Sequence, residues 1–291
     1  MLRINLNKMK NIKIGVFSFI LVLLFMPLGH TLMILNERLL TNHKLIGAGI
    51  IGFIGVCLLV LGISKDRKKS TATLFGLLAG ILVWTGWIEF SFVWVAEKLH
   101  IEALTINGEV VTKPEYLIMP SSLGLLGSFM LLYLFTYNNC QFFNWFQHVF
   151  DIKKHIKIKN NEKAIAVSTF IETIMILWTF YIVLLLVYDD DIAGDKHPFT
   201  YIVAFGSLIW SIYLFLKLLK IKKFDYAIRY AIPTVIIFWN FVEVMGRWNL
   251  FKEIWVHPFE HWIEISIITI LLIGFIAYYF FENKKLKIKL S

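Results

Sequence analysis

The stretch LIGAGIIGFIGVCLLVLGISKDRKK, Leu45 to Lys69, decides the class of this protein. From Leu45 to Ile63 it carries no charge. As a helix rising about 1.5 Å per residue, it is long enough to cross a hydrocarbon layer of about 30 Å. It then stops at Lys65-Asp66-Arg67-Lys68-Lys69, a cluster that belongs among lipid headgroups. Working outward, the same test selects seven further runs, at about 14–35, 74–96, 117–137, 164–187, 199–219, 228–245 and 263–281. Basic clusters again mark the ends, from Lys217 to Lys223 and from Lys284 to Lys289. The first run, Ile14 to Leu35, is about twice the length of a signal-peptide core and lacks a small-residue cleavage site, so it reads as a retained span. The expected fold is all-α, a polytopic membrane helix bundle of about eight transmembrane helices, with residues 1–291 as one integral membrane domain.

Composition agrees. Of 291 residues 58% are hydrophobic and only 17% charged, more apolar surface than a soluble domain of this length can hide. Cys57 and Cys140 are the only cysteines, so no disulfide framework is expected. The net charge of +9 is distributed by side: alternating the loops puts 22 of the 29 Lys and Arg with the N-terminus, whereas 11 of the 20 acidic residues lie opposite. That asymmetry follows the positive-inside rule, with both termini cytoplasmic in the cell membrane and the basic face against anionic lipid. The lipid bilayer is therefore the expected partner, and nucleic acid is not.

Three connectors carry their own signals. Asn138 to Lys163 mixes Phe142, Phe143, Trp145, Phe146 and Phe150 with later lysines, as an interfacial amphipathic segment does. Asn107-Gly108, flanked by Leu104, Ile106, Val110 and Val111, reads as a small β-hairpin. Asp189-Asp190-Asp191 begins a short acidic turn. Corresponding spans of the two halves, about 14–137 and 164–281, are offset by roughly 145 to 155 positions. Trp84 and Trp87 precede Glu89 as Trp239 precedes Glu243, which suggests two four-helix halves related about the membrane normal.

A carboxylate in hydrocarbon is costly, so Glu89, Glu172, Glu243 and Glu264 are site candidates, with His30 behind Pro27 and Gly29. Glu172 lies towards the basic side beside Thr169 and Thr173, which suit a structural role; Glu243 precedes Arg247 by four, the spacing of a helical ion pair. The densest cluster is His257-Pro258-Phe259-Glu260-His261-Trp262-Ile263-Glu264. On a helix opened by Pro258, Glu260, His261 and Glu264 would share a face, and imidazole with carboxylate is the ligand chemistry of zinc or non-haem iron. His257 to His261 reads H-x-x-E-H, which resembles the motif of the inverzincin metallopeptidases; that resemblance implies His257 and His261 as zinc ligands and Glu260 as the base. The match spans five residues of a chain otherwise unlike that family. Glu97-x-x-His100 has the ligand spacing of di-iron bundles, in a single copy. The Trp residues of the acidic half, Trp84, Trp87, Trp94, Trp239, Trp248, Trp255 and Trp262, read as an interfacial belt.

The resulting expectation is a metal-dependent membrane enzyme, hydrolase or oxidase, acting on a lipid-like or apolar substrate at a site facing outward. Zinc or iron would be held among His257, His261, Glu264, Glu243, Glu89 and His30, with Glu260 as catalytic acid/base. The alternatives are an ion-coupled transporter or channel using Glu89, Glu172 and Glu243, and a structural or assembly protein of the membrane. Phosphate-cradling glycine loops and nucleophile elbows are missing from the sequence.

Overall fold

A computed structural model describes the backbone of residues 2–64, 68–106, 109–136, 141–151 and 165–288. Among these, eight helices are long and apolar enough to cross a membrane, and the protein is an all-α bundle of membrane type. They are α1 (Leu2–Leu39), α2 (Lys44–Ile63), α3 (Lys69–Lys98), α4 (Pro114–Leu134), α6 (Ile165–Tyr188), α7 (Pro198–Leu218), α8 (Phe224–Arg247) and α9 (Trp262–Ile288). A shorter α5 (Gln141–Val149) follows α4. Most helices begin or end a few residues beyond the apolar runs; at the start of α3, Thr73 Oγ1 donates to Lys69 O over 2.9 Å. The Lys65-Asp66-Arg67 stop signal, the Asn107-Gly108 turn and Cys140 lie outside the described residues.

The hairpin is present as β1 (Leu104–Ile106) antiparallel to β2 (Glu109–Thr112), on the side opposite the termini, called distal below. The described part of the Asn138–Lys163 loop is α5 with Phe150 and Asp151. Phe143 is buried edge-on against Tyr133 at 4.7 Å, while Trp145, Val149 and Phe150 are exposed. Gln147 Nε2 donates to the carbonyls of Leu134 and Thr136 at 2.6 and 3.0 Å, satisfying groups that the end of α4 leaves open.

Helices α3, α6 and α8 are mostly buried; α2, α4, α7 and α9 turn most of their surface outward, where lipid would lie. Leu21, Leu74, Leu77, Ile176, Ile232 and Ile236 belong to the central core. The packing keeps its pattern when α1–α4 are exchanged for α6–α9. Thus α2 lies on α3 as α7 lies on α8, α1 on α8 as α6 on α3, and α1 on α9 as α6 on α4.

Towards the terminal side, Glu172 of α6 is buried against Arg229 of α8, with Nη2 and Oε1 at 2.7 Å and Nε and Oε2 at 3.3 Å. The Thr residues beside Glu172 bond instead to helix carbonyls, Thr169 to Ile165 and Thr173 to Thr169. Thr side chains on Glu172's own helix turn are satisfied locally, and the carboxylate meets the neighbouring guanidinium.

Candidate functional site

The site begins with an irregularity in α3. From Trp84 to Glu89 the helix widens into a π-helical turn, which inserts one residue and re-aims those around it, an arrangement frequent at functional sites. Gly86 lies in this turn directly against α2: a Cβ there would meet Gly52 N at 2.5 Å and Ala48 O at 2.7 Å. Pinned in this way, the turn holds Glu89 in the interior at 3% exposure.

Four helices converge on it. Tyr116, just after Pro114 opens α4, donates its hydroxyl to Glu89 Oε1 at 3.0 Å. Its ring lies 6.0 Å from that of Tyr181 on α6. The Tyr181 hydroxyl is 3.1 Å from His30 Nε2 on α1, and the same nitrogen is 3.4 Å from Glu243 Oε1 on α8. Trp239, one turn earlier on α8, donates Nε1 to Glu243 at 2.5 Å and stacks on the His30 ring with centroids 6.4 Å apart. Glu243, His30, Tyr181, Tyr116 and Glu89 thus form one polar seam through the distal half of the bundle.

The seam borders a cavity of about 620 Å³. Its walls are apolar at Met26, Met33, Leu177, Leu184 and Ile236 and polar at His30, Tyr116, Tyr181, Tyr188, Asn240 and Glu243. It extends to the distal surface beside Thr112, Lys113 and the exposed Asn249 and His257. Glu89 sits behind it in a side pocket of about 30 Å³ that shares His30 and Tyr181 with the main chamber. The α8–α9 loop is seated by Trp255, buried with its ring 4.8 Å from Trp239.

The cations Lys113 and Arg247 at the rim are matched. Lys113 Nζ lies 3.0 Å from Glu37 and 3.7 Å from Glu115. Arg247 pairs with Asp195 of the α6–α7 loop, reaches Thr112 Oγ1 at 3.2 Å and lies over the Tyr188 ring at 4.2 Å. The ion pair expected between Glu243 and Arg247 is therefore replaced. At the last turn of α8, Arg247 extends along the surface to a loop acid, and Glu243 turns inward to Trp239 and His30. Burial pushes the Glu253 carboxyl above its ordinary range, with Arg247 opposing.

The side chains expected to hold a metal divide into separate places. His30, Glu89 and Glu243 gather along the seam. His257 is at the rim, half exposed and 3.9 Å from the exposed Glu260; His261 Nδ1 meets Glu264 Oε1 at 3.5 Å, with Glu264 also half exposed. Residues 257–261 form turns, and α9 starts only at Trp262, too late for Pro258 to open a helix that would align Glu260 with Glu264. Among the described residues, no three His, Cys, Asp or Glu side chains are disposed to hold a metal ion. Glu97 pairs with Lys44, away from the seam. The Trp belt also divides, with Trp84, Trp239 and Trp255 buried and Trp87, Trp94 and Trp262 exposed.

Tyr116, Tyr181, Tyr188, Asn240 and Arg229 are polar residues whose role the sequence does not reveal. Arg229 gave little signal in the sequence, because at the start of the 228–245 run it reads as one more basic residue of the Lys217–Lys223 boundary. Comparison with family models, curated proteins and solved structures finds no match. Fold and site together define a multi-pass helical membrane protein with a polar-seamed chamber in its distal half.

Proposed function

We propose that the protein is a membrane-embedded enzyme performing acid/base chemistry, most simply hydrolysis, on a lipid-like molecule held in the distal chamber. One observation carries this: Glu243 and His30, from helices distant in sequence, face each other at 3.4 Å on the wall of an apolar cavity large enough for a lipid-sized ligand. A carboxylate beside an imidazole can take a proton from an attacking water and return one to the leaving oxygen as the substrate bond breaks. Tyr181 orients His30, and Glu89, reached through Tyr116, is a remote carboxyl on the same seam. In this reading Glu243 takes the acid/base role first expected of Glu260.

The metal expectation has no ligand set to support it along the seam, where one imidazole stands among carboxyls and phenols. Stoichiometric zinc or iron in the purified protein, lost on changing His257 and His261 to Ala, would support it. An ion-coupled carrier would need Glu172 as its relay towards the basic side, and Arg229 already engages that carboxylate. The exchange-invariant packing supports reading the two four-helix halves as a repeat with Glu89 and Glu243 as counterparts. The basic loops support cytoplasmic termini.

The test is turnover. Purified protein incubated with total membrane lipid should form a product visible by mass spectrometry. Glu243→Gln and His30→Ala should each slow its formation by about 100-fold or more, with helical content retained. Full activity in Glu243→Gln would overturn the proposal.

A further inference from the structure

Among the described residues, two polar groups on the chamber wall have no hydrogen-bond partner. Asn240 is 2% exposed and its Nδ2 makes no hydrogen bond; the buried Tyr188 hydroxyl makes none either. Such groups are costly to leave unsatisfied in an interior. Ser18 and Thr31 share this state but lie on α1, where a hydroxyl can rotate to a carbonyl of its own helix, and neither borders the chamber. Asn240 and Tyr188 do border it. Asn240 also precedes Glu243 by three residues on α8, which sets both on one helix face.

We propose that Asn240 and Tyr188 hold the polar head of the chamber's ligand, and that this head is an uncharged ester or amide carbonyl on a long apolar chain. The inference rests on reading the chamber as a ligand site and adds the chemistry of what it takes. Asn240 Nδ2 can only donate and the Tyr188 hydroxyl can donate as well, so an acceptor is the partner that serves both; a carbonyl oxygen has two lone pairs and can receive both hydrogens. The head is uncharged because the rim cations are already matched, Lys113 by Glu37 and Glu115 and Arg247 by Asp195, so an anion meets no unopposed charge. A cationic head would approach Glu243, which Trp239 and His30 already engage, and Glu253, which burial favours in its uncharged form and which Arg247 counters when charged. The chain is apolar because Met26, Met33, Ile34, Leu177, Leu184 and Ile236 wall the rest of the cavity. The carbonyl is thereby placed beside Glu243, the group assigned to proton transfer.

Trp239 and Trp255 line the chamber and provide the readout. The full chain in detergent is titrated with a monoacylglycerol brominated along its chain and with the alkyl-ether counterpart of equal length, and quenching of Trp fluorescence is followed. The ester should bind on the order of tenfold more tightly than the ether, whose oxygen is the poorer acceptor. Tyr188→Phe and Asn240→Leu should each remove most of that preference by weakening ester binding towards that of the ether, and Gly49→Ala, outside the chamber, should keep it. If Asn240→Leu does not fold, Tyr188→Phe decides alone, since it keeps the ring beneath Arg247. Equal binding of ester and ether overturns the carbonyl assignment while the chamber stands as an amphiphile site. Tighter binding of a phosphate- or amine-headed probe of the same chain overturns the uncharged head. Absence of quenching by every probe removes both this inference and the ligand chamber.

Discussion

At the scale of the residue, the site is built by making each costly group answer another. Glu243 receives Trp239 and faces His30, and Glu89 receives Tyr116. Glu253 at the rim is the counterexample, a carboxyl whose burial outweighs the help of Arg247, and it makes a pH-dependent prediction. Its folded-state pKa lies above the ordinary value of 4.5, so between the two the folded protein holds a proton that the unfolded chain has released. Stability attributable to this group therefore falls as pH rises through that window. Glu253→Gln should match the wild type in unfolding experiments below about pH 4 and be the more stable of the two at neutral pH; an unchanged difference across the range would contradict the assignment. Glu89, Glu243 and His30 were legible in the sequence because an ionisable group in an apolar run is conspicuous on grounds of cost alone. Tyr116, Tyr181, Tyr188 and Asn240 were not, since tyrosine and asparagine are tolerated on many membrane helices and gain meaning only from what they face.

At the scale of the element, two local departures from regular helix shape the chamber. The π turn at Trp84–Glu89 aims Glu89 inward and is held by the close approach of Gly86 to α2. Gly86→Ala should lower stability by about 1–3 kcal/mol, read by chemical denaturation in detergent, because backbone atoms rather than a movable side chain oppose the new methyl. Gly49→Ala, with nothing within 4 Å of its Cβ, is the matched control and should leave the midpoint unchanged or slightly raised. The second departure is the turn-forming segment before α9. The spacing His257-x-x-Glu260-His261 suits a helix face, but the segment connects α8 to α9 and is anchored by Trp255 on Trp239. Spacing alone does not reveal whether a segment is free to be helical, and here the tether of Trp255 is the missing information.

At the scale of the molecule, polar groups fall in two layers: the ion pair of Glu172 with Arg229 towards the terminal side and the seam with its chamber towards the distal side. The pair joins α6 to α8 and sets its two charges against each other in the core. Removing one partner, by Glu172→Leu or Arg229→Leu, should cost about 3–5 kcal/mol, because the other charge stays buried after losing its paired ion. The double variant should recover most of that loss; a cycle without coupling between the two positions would show that the pair does not hold α6 to α8.

Taken alone, the sequence determined the number of spans, their approximate limits, the distribution of charge between the two sides and the three ionisable groups of the seam. Each of these follows from transfer between water and hydrocarbon, which acts on residues one at a time. Tertiary structure alone decided which of those groups meet, that Arg247 turns to Asp195 and not to Glu243, that residues 257–261 turn before α9 begins, and that Asn240 and Tyr188 face a chamber with donors to spare. Those outcomes depend on helix rotation and on contacts between residues 50 to 150 positions apart, which no local pattern encodes.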